Sequence, residues 1–562
     1  MKSKLLRDNL PEYMTQIPFG TLPRVFQDAV QIVARFGMVY VWIDSLCIIQ
    51  DSRRDWAAES AQMGLIYQNS FCNIAATGFA DGTAGLFADR DASLLTPIPL
   101  ELESDIYHVS EDAEGKARRQ KEIEAGKYLL VDVDMFRNGV DNAPLNRRGW
   151  VVQERSLSPR TLHFGSNQLY WECAQKIACE VFPQGLSRGM PRVNAKRLGP
   201  LTPAPIEEVV TEEKMQEDRD TQEMINNMSK RELRRYPPSV RRWLKQRVTN
   251  PDGKPKLPTQ RLMRKNIRGM TLVQHRWRDV VQNFSGCALT FSSDKLIAIA
   301  GLAQEAAEAM QCDYLTGLWR DDLEHQLLWR VTDARPKPKL TGCRGPSWSW
   351  ASIDGPVTLS DWSGSGYQTK EGEIEWYTQV IEAATKAASG NIYGQIGSGS
   401  LKMTGRLGVL RIKKDDAPLP DPADENLVHI ERQARIHWDT QDLEHQYCPS
   451  GDHVVWRYTT YTTPASTTQC VSRYLDVFVM PVRIMEEDPD GRDWEAPLLV
   501  GLLLLPTRKR KGQYRRVGLI EATQHWYGDN AVKPFTNTTK IRETAFFAAA
   551  GDAEGEYVVE IV

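Results

Sequence analysis

Between Leu22 and Phe36 the apolar side chains fall at Leu22, Val25, Phe26, Ala29, Val30, Val33 and Phe36. That three-and-four spacing puts one oily stripe on a helix. Thr21 is the expected N-cap, Pro23 sits in the tolerant first turn, and Gly37 can stop the helix in a left-handed conformation. The next run, Val39 to Ile43 (VYVWI), is apolar without alternation. It predicts a strand covered on both faces, as parallel strands are, that presents Asp44 at its exit. Ser52, Arg53, Arg54 and Asp55 read as a capping-box-like opening for a helix reaching about Tyr67, and Phe71 to Ala76 as a second apolar strand. Helix, strand, helix, strand with short connections predicts an α/β layer with a parallel sheet. The expected layered core depends on the VYVWI ribbon lying between helices.

Further along, residues 95 to 130 are weakly patterned and predict a surface excursion, while 145 to 182 read as turns and strands rich in aromatics. From about Leu201 to Gly269 charges and Pro dominate, which predicts an insertion of solvated helix and loop. Asp294 to Met310 is amphipathic, with Asp294 as N-cap and Leu296, Ile299, Ala303 and Ala306 on one face. After Gly394 short apolar or alternating runs such as LKMTGRLGVLRI and YLDVFVMPVRIM alternate with Gly, Pro and Asp clusters, the pattern of a β-rich module. No repeat of fixed period appears.

Composition narrows the function classes. The chain has 562 residues, long enough for several domains, and 70 Lys and Arg against 73 Asp and Glu give a formal charge of -3. Such a balance predicts no general affinity for nucleic acid. The basic cluster at Arg234, Arg235, Arg241, Arg242 and Lys245 has no aromatic framework for base recognition beside it and reads as a solvated face. Nine scattered cysteines without a CxxC do not form a disulfide framework. The first residues lack the apolar core of a signal peptide, and the run from Ala496 to Pro506 is too short to span a bilayer and reads as a buried strand. A cytoplasmic protein without a membrane span is the expectation. Sixteen tryptophans promise large cores and interfaces.

Candidate chemistry is sparse. Ligands of open parallel sheets bind beyond the carboxyl ends of strands, where Asp44, Ser45 and Cys47 stand. The alternative is that Asp44 caps a loop and Cys47 packs as a small hydrophobe. A nucleophilic Cys47 would need a base, and His108 or His163 would have to reach it through space. Cys173 and Cys179 lack a second ligand pair, and His429, His437, His445 and His453 are too widely spaced for one helix face, so no metal site is expected. GQIGSG at 394–399 precedes a strand and so is not a phosphate loop. The segment from Leu145 to Cys173 is dense in Arg147, Arg148, Gln153, Glu154, Arg155 and Arg160 around Trp150. It fits a buried charge network, or a site where Arg forks take a carboxylate or phosphate.

The blocks LPRVFQDAVQIVARFGMVYVWIDSLCIIQDSRRDWAAESAQMGLIYQNSFCNIAAT, GLFADR, LNRRGWVVQERSLSPRTLHF and LYWEC resemble the fungal heterokaryon-incompatibility (HET) domain. SSDKLIAIAGLA, YLTGLW and PSWSWASIDG resemble the segment that follows it. The resemblance implies non-self recognition that triggers programmed cell death, with protein partners that include the chain itself. It also implies a TIR-like or flavodoxin-like parallel-sheet layer, and members of the TIR fold either assemble as adaptors or cleave NAD. An NAD-cleaving site would use Glu59 by its place in the layout, with Asp44, and Arg148, Trp150, Gln153, Glu154 and Arg155 as binding residues; NAD would be a substrate, and no cofactor is expected. Family members normally open with a strand of the form Y-x-x-L-S-Y-x-W-G, and Met1 stands after that point, so the sheet is expected to lack this member and expose an edge. A truncated, non-catalytic remnant is the third reading. The expected organisation is thus an α/β HET domain over 1–182, a charged insertion over 183–270, an irregular α+β extension over 271–390 and a β-rich module over 391–562.

Overall fold

The computed structural model describes residues 3–186 apart from short loop stretches between 82 and 96 and at 112–116, then residue 196, 272–335, 344–359, 374–388, 390–413, 427–429, 434–440, 455–458, 474–485, 499–522 and 556–562. The expected insertion at 201–269, its basic cluster, His445 and His453 lie outside these residues. The chain divides into two compact units, Met1–Arg197 and Leu198–Val562.

In the first unit, helix α1 spans Arg24–Arg35 with Pro23 rather than Thr21 at its N-cap, and Gly37 closes it at φ +69°. Its buried stripe is Phe26, Asp28 and Ile32, and Ile32 packs on Leu86 and Phe164. Helix α2, Arg53–Gln68, opens as the sequence pattern requires: the Ser52 hydroxyl accepts from the Asp55 N–H at 3.3 Å. The Asp55 carboxylate in turn accepts from the Ile49 N–H at 2.7 Å. Strand β1, Asn73–Ala75, follows, and helix α3, Gly149–Leu157, leads directly into β2, Arg160–Phe164. Strands β3, Leu169–Cys173, and β4, Ile177–Cys179, complete a four-stranded sheet of order β1-β2-β3-β4. Only β1 and β2 run parallel (Asn73 opposite Thr161); the other pairs are antiparallel. The unit therefore mixes helix with a mixed sheet.

The VYVWI ribbon departs from expectation. It is extended, but between Val39 and Trp42 no main-chain hydrogen bond is made among the described residues, and Val39 and Tyr40 are 82% and 90% exposed. Among the described residues no strand lies beside it, and without a neighbour to complete the ladder an apolar run stays an open ribbon. The 145–182 reading also needs correction, since α3 is a helix where turns and strands were expected. Its inward face includes Gln153, Arg155 and Ser156, so polar side chains break the apolar stripe that would announce it. The excursion at 95–130 forms two antiparallel ribbons, Ile98–Leu102 with Gly126–Leu130 and Ile106–Glu111 with Ala117–Ile123, and the first of these is largely exposed.

In the second unit, helix α4 spans Leu272–Ser285 and α5 spans Ala300–Met310. Asp294 does not cap α5; two short 3₁₀ turns, Ser292–Asp294 and Ile297–Ile299, precede it and bury Leu296 and Ile299. Trp277, Trp319, Trp329, Trp348, Trp350 and Trp376 are fully buried, which is where much of the unusual Trp content goes. The β-rich part forms an eleven-stranded sheet of the described strands, its centre made by Tyr474–Met485, Leu499–Pro506 and Gln513–Ala522. Leu499–Pro506 is the buried strand its apolar run announced, and GQIGSG runs into the strand Ile396–Arg406. No described helix is long and apolar enough to cross a membrane.

Candidate functional site

Helix α1, the ribbon and β1 border an open cavity of about 1520 Å³ in the first unit. Its walls are mostly apolar: Val25, Ala29 and Val33 from α1, Val39 to Ile43 from the ribbon, and Ile74 and Ala75 from β1. Thr161 and His163 of β2 also line it. The charged side chains on its lining include Asp44, Arg148, Glu154 and Arg155, four of the residues that the sequence marked. Asp44 opens the short helix Asp44–Cys47 at the end of the ribbon, exposed, with its carboxylate accepting from the Ser45 N–H at 2.6 Å.

Glu154 projects from α3 and is half-buried. Burial and then the charge of Asp44 push its carboxyl up to about 7, against the pull of Arg148 and a hydrogen bond from Tyr67. Tyr67, whose ring meets Trp42 edge-on at 5.7 Å, has its own hydroxyl pushed well up by burial and by Glu154. The arrangement places a carboxylic acid that titrates near neutrality beside a carboxylate and an Arg fork. Such a set can donate or take a proton, and can hold an anion.

Behind the cavity lies a buried charge network. Arg155 donates to both oxygens of Glu172 on β3, at 2.8 and 3.1 Å, and pairs with Asp141 at 2.8 Å. His163 Nε2 meets Glu172 at 3.2 Å while Nδ1 meets the Thr77 hydroxyl at 2.9 Å. Burial pushes Glu172 up, but Arg155 and His163 overcome it and hold the carboxyl below the usual range. With Glu172 ionised, Nε2 carries the proton and Nδ1 accepts from Thr77. Burial drives His163 down to about 4. Lys196 Nζ donates to the Arg155 carbonyl at 2.6 Å and to Thr161 Oγ1 at 2.5 Å, and burial lowers it to about 8. This network ties α3 to β2, to β3 and to Thr77 just beyond β1, and fixes the helix from which Glu154 projects.

The remaining marked residues lie elsewhere. Glu59 sits on α2 near Cys47 and does not line the cavity. Trp150 meets Trp56 edge-on at 6.4 Å, and Gln153 is buried; neither lines the cavity. The Cys47 thiol is raised, by burial first and then by Asp44 and Glu59, which opposes a thiolate role. Arg155 finds its carboxylate in Glu172 and Asp141 rather than in Glu154. Among the described residues no group of His, Cys, Asp and Glu could hold a metal ion. Sequence reasoning missed Tyr67, Thr77, His163 in its buried role, Glu172 and Lys196. A single carboxylate in the middle of the apolar strand LYWEC was the available signal for Glu172.

No curated protein and no solved structure matches the chain. Residues 5–154, which hold α1, the ribbon, α2, β1 and α3 as far as Glu154, match the family described as Heterokaryon incompatibility protein (HET), and this stretch is a HET domain.

Proposed function

We propose that this chain is a fungal heterokaryon-incompatibility protein whose HET domain signals non-self recognition in the cytoplasm and triggers programmed cell death by associating with protein partners, including other copies of itself. The observation that supports this reading is that residues 5–154 match the HET family and carry an apolar cavity bordered by a ribbon whose Val39 and Tyr40 side chains are exposed. Exposed apolar surface of that kind marks an interaction site. The test is inducible expression of the full chain in a filamentous fungal host. Slowed growth and loss of viability are expected; normal growth with the protein present at high level would refute the reading.

A second reading is favoured by one specific feature, the convergence of Asp44, Glu154 and Arg148 on the cavity. In it the domain has a TIR-like layout and cleaves NAD or a related nucleotide. Asp44 would stabilise positive charge developing on the ribose, as carboxylates do in glycoside cleavage, and Arg148 would hold a phosphate. Glu154, rather than Glu59, would be the carboxyl group that manages the proton. Purified protein incubated with NAD should then release nicotinamide, and Asp44→Asn and Glu154→Gln should abolish release. No nicotinamide from folded wild-type protein ends this reading.

A further inference from the structure

Four consecutive cations, Arg508, Lys509, Arg510 and Lys511, form the tip of a hairpin in the large sheet of the second unit. The strands behind it, Leu499–Pro506 and Gln513–Ala522, are central to that sheet and largely buried. The tip is closed by the Thr507 N–H, which donates to the Gln513 carbonyl at 3.0 Å, and by the Gln513 N–H, which donates to the Arg510 carbonyl at 3.2 Å. On its flank the Gly512 carbonyl accepts from the Glu560 N–H at 2.8 Å, on the strand Glu556–Ile561. The cations therefore stand on a fixed frame. All four are exposed, and so is Arg515 on the return strand.

Only one of these charges is answered within the chain. Arg510 pairs with both oxygens of Glu560, at 3.1 and 2.9 Å, which ties the tip down. Glu382, two strands further along the sheet, is taken by Lys402 at 2.8 Å. Among the described residues Arg508, Lys509, Lys511 and Arg515 have no ion pair, on a chain whose formal charge is -3. The main chain supplies a second sign. Arg508 is held at φ +59°, the left-handed conformation that glycine or asparagine adopts at least cost. Turn chemistry alone would place one of those there. An arginine at this point gains a cation and strains the main chain to do so, as positions kept for contact do.

The shape of the tip narrows the partner. It carries no aromatic side chain of its own, and Tyr514 beside it is fully buried, so it offers unpaired bases no stacking platform. Duplex nucleic acid would need further contacts along the flanking strands, where Glu382 and Glu560 would meet its phosphates. A plane of anionic headgroups asks only for the outermost cations, which long Lys and Arg stems deliver without any apolar insertion. We infer that the hairpin tip Arg508 to Lys511, together with Arg515, is a docking surface for an anionic phospholipid bilayer. It holds the second unit at the membrane peripherally, by charge alone. The contact involves no residue of the HET domain and stands apart from both readings above.

The test is co-sedimentation of the full chain with vesicles of phosphatidylcholine and phosphatidylserine in a ratio of about seven to three, against phosphatidylcholine alone. Wild type should sediment with the first and stay in solution with the second. Binding should fall severalfold as salt rises to physiological strength, because the screening length shortens. Lys509→Ser combined with Lys511→Ser removes two exposed, unpaired charges and leaves the frame of the hairpin in place. At roughly fivefold per basic residue, it should weaken binding more than tenfold with an unchanged Tm. Arg508→Gly should weaken binding roughly fivefold and raise Tm, since glycine relieves the strain. Folded wild type that ignores the anionic vesicles would overturn the inference, and so would undiminished binding by either variant. A short DNA duplex that strips the protein from the vesicles at equal phosphate concentration would assign the tip to nucleic acid and overturn it as well.

Discussion

Glu154 and His163 should give the N-terminal unit two opposing pH dependences that nearly cancel, and single substitutions should expose each one. Glu154 has its carboxyl raised from 4.5 to about 7. A raised carboxyl binds its proton more tightly in the folded state, so folding stability falls as pH rises from 4.5 through 7. At about 1.4 kcal/mol per pH unit the full rise amounts to about 3 kcal/mol. Because Glu154 is only half-buried, solvent screening brings the loss between pH 5 and 7.5 to about 2 kcal/mol. His163 is lowered from 6.5 to about 4. Its unfolded form takes a proton that the folded form refuses, so stability rises with pH between 4 and 6.5, by about 2 kcal/mol from pH 5 to 7.5. Asp141, raised mainly by burial, adds to the sign of Glu154, whereas Lys196, lowered to about 8, acts above this window.

Wild-type protein should therefore be nearly flat in stability from pH 5 to 7.5. Glu154→Gln, which keeps the shape and a partner for Tyr67, should gain about 2 kcal/mol over the same interval, while His163→Gln should lose about 2 kcal/mol. Hydrogen exchange of the peptide covering Gly149–Leu157, corrected for the intrinsic pH dependence of exchange, reports on this unit alone. A Glu154→Gln protein whose profile parallels wild type would show that Glu154 is ionised and solvated throughout, and would refute the reasoning.

Arg155→Met strands the fully buried Glu172 without its principal partner and should cost about 3–5 kcal/mol in urea unfolding, whereas Arg155→Met combined with Glu172→Leu should recover most of that loss. Gly78→Ala places a methyl group on the main chain of Gly165 and Ser166, and should cost about 1–3 kcal/mol, seen as a lowered Tm. Asp28→Ala removes the buried carboxylate that accepts from the Leu86 N–H at 2.8 Å and pairs with Arg24; about 1–3 kcal/mol should be lost, with exchange rising first around Leu86.

What could be read from the chain was what is decided locally. The helical period of α1, the left-handed Gly37 and the Ser52 cap depend on residues within a turn or two of one another and were found where the pattern put them, although the buried side chains of α1 are Phe26, Asp28 and Ile32 and the expected Phe36 is exposed. The ribbon was misjudged because apolar side chains report a wish to be buried, while a strand also needs a neighbour that local sequence does not contain. Helix α3 was missed for the opposite reason: Gln153, Arg155 and Ser156 are buried, Arg155 through Glu172 and Asp141 brought in by tertiary contact, so polarity no longer marks the outward face. In the candidate site, Asp44, Arg148 and Glu154 were legible as charges next to predicted elements. Glu172 and Lys196 were not, since their significance comes from β3 pairing with β2 and from a contact 41 residues away from Arg155. The family resemblance survived the error over the ribbon because the matching blocks also contain α1, α2, β1 and α3.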